Sequence, residues 1–179
     1  MAPATSGTGS GRVNLISAVE AQEAPDVVLG TLFVNSHPAI VLFDSGASHS
    51  FVSESFASIS ELLFAPLLVP LLIRSPGSEL RAELECRDVP VEIERVGFLA
   101  NLILLTSASL DVILGMDWLS QHMGKIDCAR RLVYLTSPSG EQVRFSPKLQ
   151  GPHLFALEAK PVLDISEVPV EAKDSETKE

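Results

Sequence analysis

Apolar residues in this chain come in short runs broken by turn-forming residues. Asp26 to Val34 and Ala39 to Phe43 are two such runs, and Asn35-Ser36-His37-Pro38 between them predicts a hairpin. His37 reads as a solvent-facing turn residue rather than a ligand. Ser48 to Ser58 predicts a short strand or helical turn that packs Phe51, Val52 and Phe56 inward. Leu62 to Ile73 is continuously apolar but interrupted by Pro66 and Pro70. It is too short to span a bilayer, and the prolines would break a helix, so buried or edge strand segments are predicted. Ser75-Pro76-Gly77-Ser78 is a tight-turn sequence between Leu71 to Arg74 and Leu80 to Glu85, giving a second hairpin. Val89 to Glu94 alternates with period two, Phe98 to Leu105 is apolar, and Val112 to Gly115 follows. Met116 to His122 is the one convincing helix, ended by Gly124. Lys125 to Cys128, Arg131 to Thr136 and Glu141 to Phe145 are short strands, the last two joined at Ser137-Pro138-Ser139-Gly140. Many short strands and one short helix predict an all-β, barrel-like domain.

The ends look different. Met1 to Gly11 is rich in Ala, Ser, Thr and Gly, and residues 1–25 read as a flexible arm or connector. The domain itself is expected over residues 26–147. Residues 148–179 read as an acidic, largely disordered tail. No internal repeat is visible. Apolar residues make up 46%, enough for a core, and the formal net charge of −10 argues against a nucleic-acid partner. Two cysteines, Cys86 and Cys128, form no disulfide framework and no Cys-x-x-Cys; with four scattered histidines, neither a metal site nor a cofactor is expected. The opening residues lack a basic segment followed by an apolar one. An intracellular, cytoplasmic protein without a membrane partner is the expectation.

One stretch carries chemistry. Ala39-Ile40-Val41-Leu42-Phe43-Asp44-Ser45-Gly46-Ala47 is a buried-strand pattern running into an acid, a hydroxyl, a glycine and an alanine. Asp44 thus stands at a strand end beside the interior, where an unpaired carboxylate is expensive. A bare Asp-Ser-Gly is more often a turn capped by its own side chain. A second stretch, Leu110 to Leu119, changes the balance, because it too is an apolar strand closed by a glycine, with helix-forming residues next.

In that order the two stretches resemble the retropepsins, the retroviral-type aspartic proteases. Val41-Leu42-Phe43-Asp44-Ser45-Gly46-Ala47 is similar to their catalytic turn. Val112-Ile113-Leu114-Gly115 is similar to the stretch that crosses behind it. Further resemblance, through Ser48-His49-Ser50-Phe51 and Met116-Asp117-Trp118-Leu119-Ser120, is to the protease segment of gypsy-class long-terminal-repeat retrotransposons of the plant type. The resemblance implies a closed, single-lobed retropepsin-like β-barrel with one short helix after the Ile-Leu-Gly strand. It implies Asp44, Ser45 and Gly46 as catalytic, and Ala47 with a flap at Ser75, Pro76, Gly77 and Ser78 as substrate-binding. Ile113, Leu114, Gly115 and Asp117 would support the site. Where retroviral enzymes carry acids after the Ala, and an Arg or Asn after the later Gly, this chain has Ser48, His49, Met116 and Asp117. A polar network through His49 and Asp117 is expected in their stead.

Hydrolysis of a peptide by two carboxylates needs one as base and one as acid, sharing a proton. The chain has a single Asp-Ser/Thr-Gly, so a two-lobed pepsin-like enzyme is excluded. The second carboxylate would come from a second copy, in a C2 homodimer acting on a peptide or polyprotein substrate of Gag-Pol type. The competing reading is a catalytically silent domain of the same fold that serves binding or assembly. A third, an exposed Asp-Ser-Gly degron, fits poorly with the apolar run before it.

Overall fold

The structure, a computed structural model, describes residues 8–13, 15–106 and 109–147. Among these, eleven strands and three helices follow one another. They are β1 (Gly9–Arg12), α1 (Ala18–Glu23), β2 (Val27–Val34), β3 (His37–Asp44), β4 (Phe51–Ser53), α2 (Glu54–Ile59) and β5 (Ala65–Ser75). Then come β6 (Ser78–Ile93), β7 (Val96–Leu105), β8 (Val112–Leu114), α3 (Met116–Gln121), β9 (Lys125–Asp127), β10 (Leu132–Thr136) and β11 (Gln142–Phe145).

The larger sheet runs β1-β5-β6-β2-β3-β8-β4-β7, and β6 also pairs with β7. That extra pairing closes six strands into a barrel and leaves β5 and β1 as an extension from β6. Strands β9 to β11 form a separate antiparallel sheet. The architecture is mostly β, with the short helix α3 directly after β8.

Strand β3 explains why its sequence is a solid apolar run and not an alternation. Val41 and Phe43 face one core cluster, with Leu114 and Trp118, while Leu42 faces another, with Phe51 and Ile113. A strand covered on both faces must be apolar at every position. Strand β8 does the same with three residues, and it lies parallel to β3 in the register Val41↔Val112, Leu42↔Ile113 and Phe43↔Leu114.

The predicted hairpins form. Asn35 and Ser36 both have left-handed φ, 47° and 64°, which makes a two-residue turn whose twist suits β2 and β3; His37 and Pro38 belong to the strand, not the turn. The Leu62 to Ile73 run supplies the outer strand of the second hairpin. Its register against β6 breaks between Pro66 and Leu71, where the prolines lack N–H groups for the ladder. Leu68 is 91% exposed on that bulge. Helix α3 stops at Gln121, and the left-handed residue beyond it is Met123, with φ 49°, not Gly124.

Two described segments within residues 1–25, expected as a flexible arm, form regular elements. Gly9–Arg12 pairs in parallel with Leu71–Arg74 of β5. Ala18–Glu23 is a helix, because Ser17 and Glu20 close a capping box and Ala18 and Ala21 bury themselves in the second core cluster. The tail expected over residues 148–179 lies outside the described residues. Among the described residues no helix is long and apolar enough to cross a membrane.

Candidate active site

Asp44 is the last residue of β3 and is 1% exposed. Its Oδ1 accepts a hydrogen bond from the Gly46 N–H at 2.7 Å. Its Oδ2 is buried without any hydrogen-bond partner. Burial raises its pKa above the usual carboxylate range; the N–H groups of Gly46 and Ala47 pull the other way, and the negative charge of Asp26 adds a further upward push. Asp44 therefore holds a proton more readily than an ordinary aspartate. Ser45 and Gly46, in the turn that follows, are exposed.

Strand β8 and the start of α3 hold this turn from behind. Met116 N–H donates to the Ala47 carbonyl at 2.8 Å. A Cβ on Gly115 would stand 2.8 Å from that same carbonyl oxygen, and would run into the His49 carbonyl, so only glycine fits the crossing. Gly115 N–H donates to Ser50 Oγ at 3.0 Å. Ser50 Oγ in turn donates to Asp117 Oδ1 at 2.7 Å, and Ser50 N–H to Asp117 Oδ2 at 3.2 Å. Asp117 also accepts from its neighbour's N–H at Trp118. Ile113 and Leu114 fill the two clusters on either side.

The network expected through His49 and Asp117 is thus wired otherwise within the chain. Asp117 is held by Ser50, and His49 Nδ1 pairs with Ser48 Oγ at 2.8 Å. Helix α3 aims the Asp117 carboxylate at the strand-entry residue Ser50, which is fully buried, and His49 is left on the side of the loop nearer Arg12.

A cavity of about 570 Å³ opens beside Asp44, Ser45 and Gly46. Ser75 and Pro76 of the β5–β6 turn line it together with these three residues. Gly77, with φ 77°, and Ser78 complete that turn without lining the cavity. Ala47 does not line it either; its methyl is fully buried in the second core cluster, which makes it a packing residue in this chain.

Sequence reasoning missed the wall opposite. Leu15, Ile16, Glu20 and Ala24 of the N-terminal segment line the cavity, with Asp26 and Cys128. The segment is tied down along its length. Arg12 N–H donates to Ser48 Oγ at 2.7 Å, Ser48 N–H donates to the Arg12 carbonyl at 3.0 Å, and Ser109 Oγ donates to the Ile16 carbonyl at 3.0 Å. The Ser17-x-x-Glu20 spacing was the signal that could have revealed helix α1. Among the described residues no group of His, Cys, Asp or Glu side chains is arranged to hold a metal ion.

Comparison with known proteins agrees with this geometry. Residues 8–141 match the sequence profile of the family described as retroviral aspartyl protease. Among solved structures, the retroviral protease-like domain of Ddi1 from Leishmania major superposes with a TM-score of 0.52 at 17% identity. That match covers 70% of this chain and 98% of the other. The EIAV protease complexed with the inhibitor HBY-793 gives a TM-score of 0.42 at 18% identity, over 52% of this chain and 85% of that one. None of the curated proteins matches. With three quarters of its length inside the family profile, and the barrel, the Asp-Ser-Gly turn and the Gly115 crossing in their expected order, this chain belongs to the retroviral aspartyl protease family.

Proposed function

We propose that the chain is an aspartic endopeptidase that works as a homodimer. The observation that carries this reading is the buried Asp44 carboxylate, whose Oδ2 lacks a partner and which lines an open cavity shared with a hairpin turn. A lone buried acid in that state is half of an acid–base couple. Two Asp44 side chains meeting on a two-fold axis would share one proton, because both cannot ionise at close range. The ionised partner takes a proton from water, and the protonated partner gives one to the carbonyl oxygen of the scissile peptide. Ser45 and Gly46 form the exposed loop at which the two copies would approach, and Ser75 to Ser78 would close over the peptide. Ile113, Leu114, Gly115 and Asp117 hold the turn in register.

The substrate we infer is a Gag-Pol polyprotein of a gypsy-class retrotransposon of plant type, cut between apolar residues. This finer assignment rests on the motif resemblance described above, and the intracellular setting it entails fits the free Cys86 and Cys128. A second reading, a silent module of the same fold used for binding, is favoured by the exposed Leu68 and Val69 of the β5 bulge, which the cavity does not use. Cleavage of a Gag-Pol junction peptide by wild type and by Asp44→Asn separates the two. The enzyme reading expects cleavage that Asp44→Asn abolishes; equal rates would end it.

A further inference from the structure

The cavity beside Asp44 has one-sided chemistry. Its apolar lining comes from Leu15, Ile16, Ala24 and Val27, and among the described residues its charged lining is the acids Glu20, Asp26 and Asp44. Among the described residues neither lysine nor arginine lines it. Val27 pairs with Asp44 across the β2–β3 ladder, so Asp26 stands one residue beyond, at the cavity edge. Asp26 is exposed, and among the described residues no ion pair engages it. Glu20 is partly committed, since its Oε2 accepts from the Ser17 N–H. The Arg131 guanidinium, beside helix α1, donates to the carbonyls of Ala21 and Gln22 rather than to either acid. A second observation marks the cavity as a ligand site: Asp44 lines it with a buried Oδ2 that has no partner.

We propose that this cavity is a subsite for a basic side chain of the substrate, lysine or arginine, and that Asp26 is the residue that selects it. The inference rests on the reading of Asp44 as the catalytic acid. A lysine or arginine has an aliphatic stem and a cationic head. The stem matches the Leu15, Ile16 and Val27 lining, and the head reaches the Asp26 rim. An acidic residue at the same substrate position would meet the carboxylates of Asp26 and Glu20, with no lysine or arginine among the described lining residues. The specificity is thus for one charged anchor set beside an otherwise apolar cleavage site.

The test uses the full chain and octapeptides with an apolar pair at the scissile bond, in which arginine or norleucine, which keeps the aliphatic stem without the charged head, is moved through the flanking positions. For at least one position the arginine peptide should be favoured about 1.5-fold to fivefold in kcat/KM, the scale of a solvent-exposed charge pair. The preference should shrink when salt is raised from about 0.05 to 0.5 M. In Asp26→Asn the arginine-to-norleucine ratio should fall to about one, whereas Asp26→Glu should retain most of it. A ratio near one in wild type at every position, or a ratio unchanged in Asp26→Asn, overturns the subsite while cleavage of the norleucine peptide leaves the role of Asp44 standing. If wild type cleaves neither series, the role of Asp44 is lost, and calorimetric affinities of Asp44→Asn for the same peptide pairs still decide the subsite: equal affinities refute it, and tighter arginine binding that Asp26→Asn removes supports it.

Discussion

Replacing Gly115 by alanine is the sharpest single perturbation of the scaffold. The new methyl carbon would stand 2.8 Å from the Ala47 carbonyl oxygen and nearer still to that of His49, both of them backbone atoms on the loop that carries Asp44. Ordinary contact needs about 3.5 Å, so the loop and β8 must part. Two hydrogen bonds lie across that gap, Met116 N–H to Ala47 O and Gly115 N–H to Ser50 Oγ. Losing one stabilising bond, at about 0.5–1.5 kcal/mol, and orphaning a buried polar group, at about 1–3 kcal/mol, brings the expected loss to about 1.5–4.5 kcal/mol. Against a typical stability of about 5–15 kcal/mol this is severe but survivable. Trp118, the only tryptophan, is 2% exposed and three residues away, so its fluorescence reports urea unfolding at the site itself. With a slope of about 2 kcal/mol per M, the midpoint should fall by roughly 0.8–2.3 M. Gly77→Ala is the control: its methyl meets nothing within 4 Å, and only the φ of 77° is strained, a penalty of about 1–2 kcal/mol. A Gly115→Ala midpoint within about 0.3 M of wild type would refute the reasoning.

Three further outcomes follow from the same geometry. The raised pKa of Asp44 means that the folded state binds its proton more tightly than the unfolded chain, so this group's stabilisation is present below the unfolded value and lost as pH rises through the folded one. Asp44→Asn should therefore be the more stable protein at pH 7, with the gap closing in thermal melts toward pH 3; a gap that widens on acidification would contradict this. Peptide cleavage should peak well above pH 3, since burial of Asp44 and an alanine in place of a hydroxyl at position 47 both disfavour the charged dyad; a maximum near pH 3 would count against it. Ser50→Ala removes the hydroxyl that joins Gly115 to Asp117 and orphans part of that network, which should lower stability by about 1–3 kcal/mol in urea titration; an unchanged midpoint would show that the link is slack.

What the sequence makes legible is what local rules decide. Strand β3 is readable because both its faces are covered, and the Pro76-Gly77 turn because its residues match the dihedrals. The turn between β6 and β7 was hidden: Glu94 and Arg95 both adopt left-handed φ, 50° and 66°, with no Gly or Asn to announce it. Strand β6 is one strand from Ser78 to Ile93, with a register shift between Cys86 and Val89 that reads in sequence as a gap between two strands. Asp88, with φ 54°, sits in that shift and donates its N–H to Asn101, a partner thirteen positions away. The N-terminal wall of the cavity was hidden for another reason. Gly9 to Arg12 looks like a linker by composition and becomes a strand only because β5 and Ser48 offer it partners that are distant in sequence. Asp44 was found by its motif, whereas Asp26 and Glu20 became neighbours of it only through the β2–β3 ladder and the capped helix.

The claim that each molecule holds half of the hydrolytic site is met most directly by mixing. Wild-type protein at a fixed concentration, high enough to be dimeric, is titrated with Asp44→Asn while junction-peptide cleavage is followed. Random pairing of subunits predicts that activity falls to about half at an equimolar ratio and continues toward zero with excess variant. Activity that stays constant across the titration, with mixed dimers present, would mean that one chain hydrolyses alone.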